Sequence, residues 1–288
     1  MTDSLITQLD ENGTATVILN RPDVHNAFDP ELVERLNDVL DDIATAKDVR
    51  AVLLAGAGDN FCAGADIAHM KASAAYPRRR NVELAHRMAT LFERLDTLPK
   101  PTIALVRGAV RGGGCGLVAA CDIAIASRFA TFRLTEVKLG IIPAVISPYV
   151  VRAMGERYAR RYMLTGEELD AGAAYRVGLV HDIVEEDDLI PRASELLEQL
   201  HSSGPHAMAA VKQLVPLVAR TPIGDRLTQA TAELIADIRA TPEAQEGLAA
   251  FLDKRKPAWV EGRPLPTPAK KTARQKAVKK TPKKAVKK

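Results

Sequence analysis

The spacing of apolar residues changes several times along this chain. Thr14–Leu19 alternates and is rich in β-branched residues, and Asn20-Arg21-Pro22-Asp23 stops it, which predicts a strand running into a turn. Asp29-Pro30-Glu31 then offers an N-cap, a proline at the first helical position and an acidic first turn. Leu32, Val33, Leu36, Val39, Leu40 and Ile43 follow at helical spacing. Val49–Ala55 is a continuous apolar run of strand length, the pattern of a parallel strand buried on both faces, and Gly56-Ala57-Gly58-Asp59 ends it. Residues 68–98 read as helix interrupted near Pro77. Thr102–Val106 reads as a second buried strand. It feeds a glycine turn, a short helix from about Gly114, and a strand over Ile123–Ala126. This alternation predicts an α/β fold with parallel strands and crossover connections. From Pro148 onward the chain is mainly helical apart from a strand over Leu179–Val184. Helices near 206–220, 223–239 and 242–255 carry apolar stripes that something must cover.

Composition adds few constraints. The 288 residues are 47% hydrophobic, enough for a sizeable core, and no apolar run is long enough to cross a bilayer. Met1-Thr2-Asp3-Ser4-Leu5 has neither the basic nor the apolar region of a secretory leader. Cys62, Cys115 and Cys121 are odd in number, sit among small apolar neighbours and lack zinc-ligand spacing. They fit buried thiols in a reducing, cytoplasmic setting. The net charge of +4 conceals an asymmetry: residues 263–288 hold eleven Lys/Arg and no acid, and without them 29 basic residues face 36 acidic ones, a net of −7. Pro264, Pro266 and Pro268 oppose helix there, and Lys276–Lys280 recurs as Lys284–Lys288, so this tail is expected to be disordered. It fits a solvated tail, or a salt-sensitive contact with nucleic acid or another anionic surface.

The candidate chemistry lies in two glycine-bearing turns about fifty residues apart. They are Phe61-Cys62-Ala63-Gly64-Ala65-Asp66-Ile67 and Arg111-Gly112-Gly113-Gly114-Cys115-Gly116-Leu117. Small residues in tight turns let backbone N–H groups approach a ligand. Two such turns can aim two donors at one oxygen, an oxyanion hole. Glu136, in Leu134-Thr135-Glu136-Val137-Lys138-Leu139-Gly140, can add an acid/base. The combination suits reactions through an enolate. No Gly-Lys-Ser/Thr follows the glycine run, so it is not a nucleotide P-loop. Each feature has a plainer reading: Gly112–Gly114 as close strand–helix packing, Glu136 as a surface carboxylate paired with Lys138, and Asp66 as a helix N-cap. His69 and His86 read as surface or hydrogen-bonded histidines.

At these residues the chain resembles the crotonase superfamily, the enoyl-CoA hydratase/isomerase family. Leu19–Phe28 is similar to that family's N-terminal signature and Glu246–Trp259 to its C-terminal one, so the resemblance spans roughly residues 4 to 262. It implies a crotonase fold, a spiral of repeated ββα units with a C-terminal helical region for trimerisation. The divisions expected are 1–200 for the core with the CoA and active sites, 201–262 for oligomerisation, and 263–288 for the tail. The resemblance implies trimers or hexamers built as dimers of trimers, an acyl-CoA thioester as substrate, and no metal or redox cofactor. Ala65 and Gly113 would donate their N–H groups to the thioester oxygen, and Glu136 would be the acid/base, its pKa raised by apolar walls such as Leu134, Ile141 and Ile142. Asp23, Val24, His25, Ala63, Gly64, Asp66 and Ile67 would lie along CoA. Gly112, Gly116 and Pro143 would belong to the substrate site, and Lys254 of a neighbouring subunit would meet phosphates.

Two departures shape the expected reaction. Two-glutamate hydratases carry a carboxylate three residues after the oxyanion glycine, where this chain has Gly116. Where hydratases often read Ile-Pro-Gly-x-Gly-Gly-Thr, this chain has Ile142-Pro143-Ala144-Val145-Ile146-Ser147-Pro148-Tyr149. These segments are most similar to the bacterial branch of methylglutaconyl-CoA and isohexenylglutaconyl-CoA hydratases. Hydration of 3-methylglutaconyl-CoA, as in leucine breakdown, or of a related branched glutaconyl-CoA is therefore expected. Arg111, Arg133 or Arg152 could pair with its second carboxylate. The alternatives are a Δ3,Δ2-enoyl-CoA isomerase using Glu136 alone, and a nucleic-acid-binding protein acting through the tail.

Overall fold

The computed structural model describes residues 3–261, so the Lys-rich tail at 263–288 lies outside the described residues. The chain divides into two compact units, Met1–Leu227 and Thr228–Lys288. In the first, strands β1 (Leu5–Leu9), β2 (Thr14–Leu19), β3 (Ala51–Gly56), β4 (Thr102–Val106), β6 (Ile123–Ser127) and β9 (Asp182–Val184) form one sheet in the order β1-β2-β3-β4-β6-β9. Only β1–β2 is antiparallel. A smaller sheet, β5-β7-β8, joins β5 (Ala109–Arg111), β7 (Thr131–Arg133) and β8 (Leu169–Asp170).

The period-2 alternation of side chains explains why the central strands read as unbroken apolar runs. Val52, Leu54, Ala104, Val106, Ala124 and Ala126 join the main core on one face of the large sheet. Leu53, Ile103, Leu105 and Ile125 project into a second cluster with Leu189 and Ala193. The main core also takes in helices α1 (Pro30–Thr45), α3 (Arg78–Thr97) and α4 (Gly113–Ala120), and the second is closed by α7 (Leu189–Ser202). Asp29 caps α1 by accepting from Leu32 N–H at 2.8 Å. The stripe read from the sequence is its buried face, with Asn37 buried besides and Val39 packed at the margin.

The interruption near Pro77 separates α2 (Ile67–Ser73) from α3. A strand over Leu179–Val184 was expected, but only Asp182–Val184 pairs. Leu179 and Val180 instead donate to Ala174 O in the turn after α6 (Ala171–Arg176), and both are buried there. Further along are α5 (Ser147–Thr165), α8 (Pro205–Arg220), α9 (Asp225–Arg239) and α10 (Pro242–Leu252). Helix α8 buries no residue, and its Val211 and Val215 stand exposed. In the second unit, the carboxylate of buried Glu246 accepts from both Arg255 amines and from Ala258 N–H. No described helix is long and apolar enough to cross a membrane.

Candidate active site

Two strand ends bring the site together. Strands β5 and β7 run parallel with Arg111 opposite Arg133, so the chain leaves both at the same edge of the small sheet. From β5 it turns through Gly112 (φ 49°) into α4, which places Gly113 N–H at the positive end of the helix. From β7 it enters a single turn of 3-10 helix over Glu136–Leu139. Gly112 N–H donates to Arg133 O at 2.9 Å and locks the two exits together.

The first turn is stitched to the second by main chain. Arg111 N–H donates to Cys62 O at 2.9 Å, and Cys62 bridges Val110. Gly64 (φ 84°) packs so closely that a Cβ would lie 2.8 Å from Arg111 O, which requires glycine there. Phe28 N–H donates to Gly64 O at 2.6 Å and Asp66 N–H to Phe28 O at 2.8 Å, so this ladder passes over Ala65. Among the described residues, the N–H groups of Ala65 and Gly113 have no hydrogen-bond partner. Two unspent donors therefore stand on adjoining turns, the requirement for binding one oxyanion.

Glu136 lies beside them. Its Oε1 is 3.0 Å from where a Gly112 Cβ would be, so the carboxylate rests on the bare face of that glycine. Oε2 is buried without a hydrogen-bond partner. Burial raises the carboxyl above its ordinary 4.5, only partly offset by a hydrogen bond from its own backbone N–H. No described residue forms an ion pair with it, and Lys138 packs instead beside Gly166. The expected apolar walls are only partly present. Leu134 is buried, but Ile141 and Ile142 are 52% and 75% exposed, because the turn after Gly140 carries them away from the core.

Asp66 caps α2, accepting from Ala68 N–H at 2.8 Å and His69 N–H at 3.3 Å. Burial pushes its carboxyl up, but these bonds and Arg21 outweigh it and hold it below the usual range. Asp23, Val24, His25, Ala65 and Ile67 are exposed, Ala63 and Pro143 half-buried, and Gly64 and Gly112 buried. Gly116 is buried, and a Cβ there would lie 2.3 Å from Ile146 Cγ2 and 2.9 Å from Phe92 Cε1. Lys254 belongs to the second unit.

The three arginines differ. Arg111 is held by Thr131 and by Glu168 Oε2 at 2.9 Å, and Arg152 by Asp96. Arg133 has no acidic partner among the described residues. His69 stacks obliquely near Tyr76, and exposed His86 lies 3.4 Å from Thr90 Oγ1. All three cysteines are free and buried, with thiols pushed up to about 12.

Sequence reasoning missed Arg21 and Asn26, both inside the N-terminal signature. Arg21 ties Asp29 (2.9 Å) to Asp66 (3.0 Å) and so joins α1 to the first glycine turn. Asn26 is fully buried. Its side chain accepts from Arg21 N–H at 2.9 Å and donates to Ala57 O and Asn60 O at 2.9 and 2.8 Å. The available signal was an asparagine just after a proline turn, one of the few non-glycine residues that tolerate its φ of 57°.

Known proteins are similar to this chain along most of its length. The family described as enoyl-CoA hydratase/isomerase matches residues 10–262. The short-chain-enoyl-CoA hydratase of Clostridium acetobutylicum is 34% identical over 248 residues, 85% of this chain and 94% of that protein. The (E)-benzylidenesuccinyl-CoA hydratase of Thauera aromatica is 34% identical over 258 residues, 86% of this chain and 96% of that protein. Among solved structures, an enoyl-CoA hydratase from Shewanella pealeana matches with a TM-score of 0.87 and 45% identity, covering 89% of this chain and 96% of that one.

Proposed function

The chain belongs to the enoyl-CoA hydratase/isomerase family, and from that premise we propose that it hydrates an enoyl-CoA whose acyl group carries a second carboxylate, 3-methylglutaconyl-CoA or a related branched glutaconyl-CoA. It has the α/β crotonase fold, and it is an enoyl-CoA hydratase, a hydro-lyase. The observation that carries the site assignment is the unpaired, half-buried Glu136 carboxylate resting on Gly112 beside two unspent N–H donors.

In this reading Glu136 takes a proton from water as the water oxygen bonds to the β-carbon. The π electrons move through the α-carbon onto the thioester oxygen, and Ala65 and Gly113 N–H hold the resulting enolate. The enolate then collapses, the α-carbon takes the proton from Glu136, and one water has been added. The donors act because charge on that oxygen grows towards the transition state. CoA lies along Asp23–His25 and Ala63–Ile67, and Lys254 of a neighbouring subunit meets its phosphates. The exposed apolar face of α8 is covered in a trimer or a hexamer of two trimers. The dicarboxylate preference is supported by the motif resemblance and by a relative that acts, by its name, on a substituted succinyl-CoA.

One observation favours a Δ3,Δ2-enoyl-CoA isomerase activity as a second reading beside hydration: Ile146 and Phe92 leave no room for a side chain at Gly116, so only one carboxylate serves the site from these turns. Incubation with 3-methylglutaconyl-CoA, crotonyl-CoA and 3-hexenoyl-CoA, followed by mass, separates the readings. Gain of one water on methylglutaconyl-CoA in preference to crotonyl-CoA is expected. Equal hydration of crotonyl-CoA refutes the dicarboxylate preference. Isobaric conversion of 3-hexenoyl-CoA would show that the same site also isomerises double bonds.

A further inference from the structure

We infer that Arg133 recognises the distal carboxylate of the acyl group and so sets substrate preference, an inference that rests on the dicarboxylate reading above. Of the three candidate arginines, Arg111 and Arg152 already have partners. The Arg111 guanidinium donates to Thr131 O and Oγ1 at 2.8 and 3.0 Å and to Glu168 Oε2 at 2.9 Å. Arg152 grips Asp96 with both terminal amines and lies over the Tyr149 ring.

Arg133 has neither kind of satisfaction. It is half-buried, makes no ion pair with a described residue, and its Nε is buried with no hydrogen-bond partner. With Nε unsatisfied and no protein acceptor on its terminal amines among the described residues, this guanidinium keeps its terminal N–H donors for a ligand carboxylate.

Its backbone is already part of the site. The Arg133 carbonyl accepts from Gly112 N–H at 2.9 Å, and Gly112 both precedes the Gly113 donor and supports the Glu136 carboxylate. Arg133 also precedes Glu136 by three residues and pairs across the parallel ladder with Arg111, so two cations border this edge of the small sheet. A planar guanidinium offers two parallel N–H groups matched to a carboxylate. A second carboxylate on the acyl chain is the anion this arrangement fits.

Saturated analogues isolate the interaction from turnover. Binding of glutaryl-CoA, butyryl-CoA and free CoA is measured by calorimetry on the full chain and on Arg133→Gln and Arg133→Lys. The wild type is expected to prefer glutaryl-CoA to butyryl-CoA by about tenfold or more, a ratio within the range of one charged hydrogen-bonded contact. Arg133→Gln should bring that ratio to about one and leave butyryl-CoA and free CoA affinities unchanged, and Arg133→Lys should restore part of it. A wild type without the preference overturns the inference, as does a ratio unaltered by Arg133→Gln. Equal losses for both thioesters would make Arg133 structural, and a loss for free CoA would make it a phosphate ligand; either overturns the inference. If the Arg133-dependent preference holds but 3-methylglutaconyl-CoA is not hydrated, the activity reading fails while the recognition site stands.

Discussion

Replacing Gly116 with alanine sets two effects of opposite sign against each other. Gly116 lies inside α4, and glycine in a helix interior costs about 1 kcal/mol relative to alanine, so propensity alone predicts stabilisation. Packing opposes it. The added methyl would fall 2.3 Å from Ile146 Cγ2, 2.9 Å from Ile146 Cβ and 2.9 Å from Phe92 Cε1. Ile146 and Phe92 are 2% and 0% exposed, and the isoleucine atoms are close to its backbone, so neither neighbour moves cheaply. Overpacking of a well-filled core costs about 1–3 kcal/mol, and contacts this short belong at or beyond the upper end. A net destabilisation of about 2 kcal/mol or more follows. Urea denaturation of Gly116→Ala, Ile146→Ala and the double variant closes a thermodynamic cycle. The double variant should lose less than the sum of the single losses, with a coupling of about 0.5–3 kcal/mol. Gly116→Ala as stable as the wild type or more so, or strict additivity, would refute the reasoning. A glutamate at 116 should be worse still, since it adds a buried charge to the clash.

Three further outcomes follow from the same geometry. The Glu136 carboxyl, raised above its ordinary 4.5, binds its proton more tightly in the folded than in the unfolded chain, so its penalty on folding grows as pH rises from 4.5 through the raised value. Glu136→Gln should therefore gain stability over the wild type at neutral pH and lose that advantage below 4.5; denaturation curves showing a pH-independent advantage would contradict this. Asn26→Ala should cost about 3 kcal/mol in urea, since it strips three hydrogen bonds of 2.8–2.9 Å at about 1 kcal/mol each; a loss below about 1 kcal/mol would show the signature loop is held by other contacts. Cys62, Cys115 and Cys121, with thiols near 12, should resist a thiol reagent at pH 8 in the native protein and all react in denaturant; rapid native labelling would show that the core opens readily.

Much of this was legible in the residues because it depended on local rules. Asp29 and Pro30 mark the start of α1, and Thr102–Val106 forms a strand at the bounds its apolar run indicated. The two glycine turns and Glu136 were visible as motifs, and the fold sets them side by side. Non-local packing was not legible. The exposure of Ile141 and Ile142 depends on how the chain leaves Gly140, and nothing local marks Ile146 as the residue that fills the space at Gly116. Strand β1 was missed because only Leu5 of its five residues is buried, which leaves little alternation to read. The three arginines look alike in the sequence, and only the positions of Glu168 and Asp96 distinguish Arg133 from the other two.

Glu136, working with the Ala65 and Gly113 donors, is the group we propose adds water to the enoyl thioester. The most direct measurement is product mass from 3-methylglutaconyl-CoA with wild type and Glu136→Gln under single-turnover conditions, with binding of a saturated CoA ester measured alongside. A gain of one water is expected with the wild type, and loss of at least about 10²-fold of that rate in Glu136→Gln, the low end of a general acid–base contribution, with analogue binding intact. Undiminished hydration by Glu136→Gln, with analogue binding equally intact, would contradict the account.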